Sequence, residues 1–151
     1  MKTPEPAPDR QVTLGRRRLA GIVFPLGLLF ACFGVITLVP LTLLPMLPSE
    51  RAQAAAFWLP GLASVVLGAG LALAGLPGRT QRLTLADGAV IVLVTWVYAA
   101  ICGAIPFQLA ERVGPLRALF ESVSGLTTTG LSVLVVERCG QLVLFWRSWL
   151  Q

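Results

Sequence analysis

Three stretches of the chain, residues 19–49, 52–78 and 88–110, contain no Asp, Glu, Lys or Arg. A helix rises about 1.5 Å per residue, so roughly 20 apolar residues cross a hydrocarbon core about 30 Å thick. Each stretch is long enough, and the pattern predicts transmembrane helices over 18–45, 54–76 and 83–105. Pro40, Pro45 and Pro48 mark the outer end of the first, and Pro77-Gly78-Arg79 ends the second. The third is expected to stop at Ile105-Pro106-Phe107, with an outer loop over 108–114. Pro25 inside the first is expected to kink it, which neighbouring helices accommodate in a membrane.

Residues 115–127 break this pattern. Leu116, Leu119, Phe120, Val123 and Leu126 recur at helical spacing behind Pro115, giving one apolar face. Such a helix reaches only about 20 Å, too short to cross. Thr127-Thr128-Thr129-Gly130 and Leu131-Ser132-Val133-Leu134 follow, a stretch that helices do not favour. Two readings stay open. In one, a helix dips into the membrane and an extended TTTG segment lines an ion pathway, where backbone carbonyls replace a cation's water. In the other, 115–134 is an interfacial amphipathic helix followed by an outer hairpin.

Of the 151 residues 56% are hydrophobic and 13% charged, against about 25% charged in soluble domains, which excludes a water-soluble fold. A cleaved signal peptide is a poor match to the first stretch, because a signal's apolar region is only about 7–15 residues long. The net charge of +5 comes without a basic stripe interleaved with aromatics, so no nucleic-acid partner is expected. Topology accounts for it instead. Lys2, Arg10, Arg16, Arg17, Arg18, Arg79 and Arg82 share one side, and Arg51, Arg112, Arg117 and Arg138 the other, which puts the N-terminus in the cytoplasm. Residues 1–17 then form a cytoplasmic tail, flexible over 1–15. Cys32, Cys102 and Cys139 are scattered and the chain has no His. A disulfide framework, a zinc site and His-dependent nucleophilic catalysis are excluded, so neither an enzyme nor a cofactor is expected.

Small residues, Gly61, Gly68, Gly70 and Gly75, punctuate the second span and read as close helix packing, with a dimer seam as the alternative. Asp87 reads as a helix N-terminal charge. Glu121 and Arg147 both stand where an unpaired charge is expensive. One reading pairs them, tying the 115–127 helix to the last segment. The other lets Arg147 snorkel to the outer interface beside Trp146 and Trp149.

The sequence resembles the TrkH/KtrB/HKT potassium transporters, TrkH type. The likeness rests on Gly103-Ala104-Ile105-Pro106-Phe107, on Phe120-Glu121-Ser122-Val123-Ser124-Gly125-Leu126-Thr127-Thr128-Thr129-Gly130, and on Trp146-Arg147-Ser148 with Leu150-Gln151. It implies an all-α integral membrane fold in which two extra helices (18–78) precede the first M1-pore-M2 repeat (79–151). M1 would be 83–105, the pore helix 115–127, the filter 128–131 and the start of M2 141–151, cut short at Gln151. The carbonyls of Thr128, Thr129 and Gly130 would face potassium, the transported substrate, with Glu121 and Arg147 as a structural pair. Family members carry four such repeats, so this chain would supply one filter strand. Arg138-Cys139-Gly140-Gln141 departs from the proline-containing stretch the family has before M2.

The implied function is potassium uptake across the bacterial inner membrane, in contact with lipid. A homodimer and a cytoplasmic nucleotide-binding regulator of the TrkA kind would be the partners. The alternatives are a small non-transporting membrane protein, a truncated gene product, or several copies pooling their filter strands.

Overall fold

The computed structural model describes the backbone of residues 8–135, 137 and 139–151, and side chains from Arg18 onward within them. Lys2, Arg10, Arg16, Arg17 and Arg138, used above to set topology, have side chains outside the described residues. The elements in order are α1 (Pro8–Leu38), α2 (Ala55–Gly75), α3 (Leu85–Glu111), α4 (Pro115–Leu126) and α5 (Gln141–Trp149). Short 3-10 segments at Val39–Leu43, Pro48–Gln53 and Leu76–Gly78 join the first three. The fold is all-helical, and the segments Arg18–Leu43, Ala55–Gly78 and Leu85–Glu111 are each long and apolar enough to cross a membrane.

Two boundaries differ from the sequence reading. The described part of α1 already includes Pro8 onward, so the stretch read as a flexible tail is helical over 8–15. Helix α3 does not stop at Ile105-Pro106-Phe107 but runs to Glu111, and Arg112 ends it in the left-handed region at φ 52°. Proline inside a helix removes the donor for the carbonyl four residues back, here that of Cys102. On the neighbouring residue, Trp146 Nε1 donates to the Gly103 carbonyl at 3.1 Å in a buried setting, tying α5 to this turn of α3.

Helices α1 and α2 pack along their length on glycine. A Cβ on Gly27 would strike the Ala72 backbone, one on Gly68 the Ala31 backbone and one on Gly75 the Phe24 backbone. Gly70 faces open space. The seam read from the second span is thus filled from within the chain by α1.

A compact core forms where α5 meets the other helices. Phe57, Phe107, Ala118, Leu142, Val143 and Trp146 are fully buried there. Phe33 and Phe57 both meet the Trp146 ring edge-on, at centroid distances of 6.4 and 6.2 Å. Outward, α2 and α3 expose Leu62, Val66, Leu73, Val92, Leu93 and Val97. A surface this apolar suits lipid.

Thr84 caps α3, and Asp87 completes a reciprocal capping box with it. The same Asp87 carboxylate accepts from Arg18 Nε and Nη2 at 3.2 and 3.0 Å, pinning the start of α3 to α1. Asp87 therefore does more than meet the helix dipole.

Candidate functional site

Helix α4 starts at Pro115, with Gly114 as its N-cap, and carries its apolar face for 12 residues. It ends where the hydroxyls begin. Thr127 Oγ1 turns back onto the Val123 carbonyl at 2.7 Å, an alternative bond that competes with further helix. Thr128 lies at φ 55° and Gly130 at φ 76°. A positive φ is costly for a β-branched residue and free for glycine, so the chain turns twice within three positions. From Thr127 to Val133 every residue is exposed, and no strand partner pairs with this segment among the described residues.

A buried carboxylate and two further side chains hold the irregular segment. Glu121 is wholly buried in the middle of α4. Its Oε1 accepts from Val133 N at 2.6 Å, Ser132 Oγ at 2.8 Å and Leu134 N at 3.2 Å. Its Oε2 accepts from Arg147 Nε at 3.1 Å. A buried carboxylate unpaired would cost several kcal/mol, roughly what a desolvated ion loses in a protein interior, so these bonds are a condition of its burial. Helix α5 delivers the arginine, and Arg147 Nη2 goes on to donate to the Gly130 carbonyl at 2.8 Å. Ser124 Oγ, from α4, donates to the Leu131 carbonyl at 2.6 Å.

Of the residues singled out in the sequence, Glu121, Arg147 and Gly130 come together in one network. Thr128 and Thr129 stand exposed beside it, with their side chains outside this network. Thr127 and Thr129 hydroxyls share a hydrogen bond of 2.8 Å. The carbonyl oxygens of Thr128 and Thr129 accept no hydrogen bond among the described residues. Arg147 does not lie in a belt with Trp146, since Trp146 is fully buried.

Sequence reasoning missed how α5 is seated. Glu50, in the 3-10 turn before α2, accepts from Gln141 N at 2.7 Å and Leu142 N at 2.8 Å. Glu111, at the end of α3, accepts from Gly140 N at 2.9 Å. Two carboxylates thus satisfy the donors at the start of α5, where the helix dipole favours negative charge. Gly140 is the N-cap of α5, and nothing in the sequence points to Glu50, which is 91 positions from Gln141.

No protein-family model matches the chain. It is 35% identical over 131 residues, 83% of its length, to the Trk system potassium uptake protein TrkH of Halomonas elongata. It is 32% identical over 140 residues to an uncharacterized cation transporter of Methanocaldococcus jannaschii. Among solved structures, the potassium transporter TrkH of Vibrio parahaemolyticus superposes with a TM-score of 0.73 at 28% identity, covering 87% of this chain. The chain spans 26% and 28% of the two curated relatives and 28% of the solved one. Over a stretch about a quarter as long as those relatives, the chain is similar in sequence and in fold to TrkH-type potassium transporters.

Proposed function

We propose that the chain supplies one filter strand of a four-repeat potassium uptake pathway. In this reading α1 and α2 are the two additional helices, α3 is M1 of the first repeat, α4 its pore helix, 128–131 its filter and α5 the start of M2. The observation that carries it is the pinned irregular segment itself, an exposed run of backbone held by Glu121 and Arg147 immediately after a helix too short to span. A non-transporting anchor gives no reason to build it.

The process is permeation, with no bond made or broken. Potassium exchanges water for the carbonyl oxygens of Thr128 and Thr129, while Gly130 gives the segment its turn. The C-terminal end of α4 adds partial negative charge nearby. The membrane potential drives the ion inward with about 2.3 kcal/mol per charge per 100 mV. Placement in the inner membrane with a cytoplasmic N-terminus, a homodimer and a TrkA-like nucleotide-binding regulator belong to the same reading.

Rubidium uptake by the full-length protein, in cells lacking their own potassium uptake, tests it. Uptake is expected with the native sequence. Gly130→Val, for which φ near 76° is strained, is expected to cut it at least tenfold at unchanged membrane level. Uptake indifferent to the valine overturns the proposal.

A further inference from the structure

The backbone oxygens of the segment after α4 fall into two groups. Those of Gly130 and Leu131 are turned inward and bonded, the first to the Arg147 guanidinium at 2.8 Å, the second to Ser124 Oγ at 2.6 Å. Those of Thr128 and Thr129 accept no hydrogen bond among the described residues. The reversal falls at Gly130, whose φ of 76° lets successive carbonyls point in different directions.

From this division we infer that Arg147 withdraws the Gly130 carbonyl from the ion path, so that this strand offers cations two carbonyls, Thr128 and Thr129, and sets its affinity through a fixed positive charge. The inference rests on the reading of 128–131 as a filter strand and deepens it. A cation seated on the Gly130 oxygen would share that oxygen with a guanidinium already at hydrogen-bond distance, and like charges so close repel. The guanidinium is also fixed. Its Nε is committed to a buried carboxylate that Val133 N and Leu134 N hold from the other side. Arginine suits this double duty because its planar fork donates in two directions, which a lysine ammonium on a single flexible stem does not reproduce. Arg147 is thus a positioning residue that tunes specificity without binding the ion.

The test is rubidium uptake and its competition by potassium and sodium, measured with the full-length protein. In the paired neutral variant, Arg147→Gln with Glu121→Gln, the Gly130 carbonyl is released and the nearby charge is gone. The KM for potassium is expected to fall at least threefold, and the preference for potassium over sodium to change, at a membrane level near that of the unchanged protein. An unchanged or raised KM overturns the inference. Should the paired variant fail to reach the membrane, Arg147→Lys alone decides. Lysine keeps the pair with Glu121 and loses the second bond, so KM must fall in the same direction, and an unmoved KM and preference overturn the inference. If the unchanged protein takes up no rubidium, the proposed function fails instead, a result distinct from either.

Discussion

Arg147 Nε stands 3.1 Å from Glu121 Oε2, and the two are unequal partners: the carboxylate is fully buried while the arginine side chain keeps 21% of its exposure. The pair is one edge of a larger arrangement, because the other carboxylate oxygen holds the backbone of Val133 and Leu134. Its loss removes both the tie to α5 and the support of the irregular segment.

Glu121→Ala is therefore expected to destabilise the protein by about 3–5 kcal/mol, the usual cost of breaking a buried pair from one side. Glu121→Gln keeps an acceptor for the strand donors and is expected to cost less. Exchanging the charges, Glu121→Arg with Arg147→Glu, is expected to restore little, because an arginine at 121 has no acceptor for Val133 N and Leu134 N. Thermal unfolding in detergent ranks the three, and full recovery in the exchanged form would show that charge alone matters.

Glu50→Ala leaves the Gln141 and Leu142 donors at the start of α5 without their carboxylate. Loss of a capping side chain typically costs about 1–2 kcal/mol. A lower unfolding temperature is expected, together with faster proteolysis around residues 139–142. Glu50→Asp, still an acceptor but shorter, is expected to fall between the two. Equal stability of all three forms would mean the clamp contributes nothing.

Gly68 and Gly70 sit on the same helix with opposite surroundings. Gly68→Ala drives a methyl group into the Ala31 backbone and is expected to separate α1 from α2. Gly70→Ala meets nothing within 4 Å and is expected to stabilise the helix by up to about 1 kcal/mol from propensity alone. Parallel unfolding curves for the two variants check this, and similar shifts would contradict the glycine seam.

Burial pushes the Cys139 thiol up, with the charges of Glu111 and Glu121 adding to the rise. The thiolate is the reactive form, so a raised value means less of it at neutral pH. With Cys32 and Cys102 replaced by serine, maleimide labelling of Cys139 is expected to run slower at pH 7 than that of a free cysteine. The rate should keep climbing above the pH at which a free thiol levels off. A rate matching the free cysteine at pH 7 would contradict it.

The apolar runs, the helix too short to span and the hydroxyl-and-glycine stretch after it were all legible in the sequence, because each is a matter of local period and length. The separate placement of Glu121 and Arg147 was legible too, since a charge in an apolar run advertises its cost. Where α3 ends was not, because Pro106 reads as a stop in the sequence while the turn around it is packed in the structure by Trp146, 43 positions away, through the Gly103 oxygen. The role of Glu50 was hidden for the same reason. The tertiary structure alone decided which carbonyls of the TTTG segment are bonded inward and which are left open. That division depends on three side chains from two helices meeting one turn of backbone, and hydrogen bonds across such separations leave no trace in residue order.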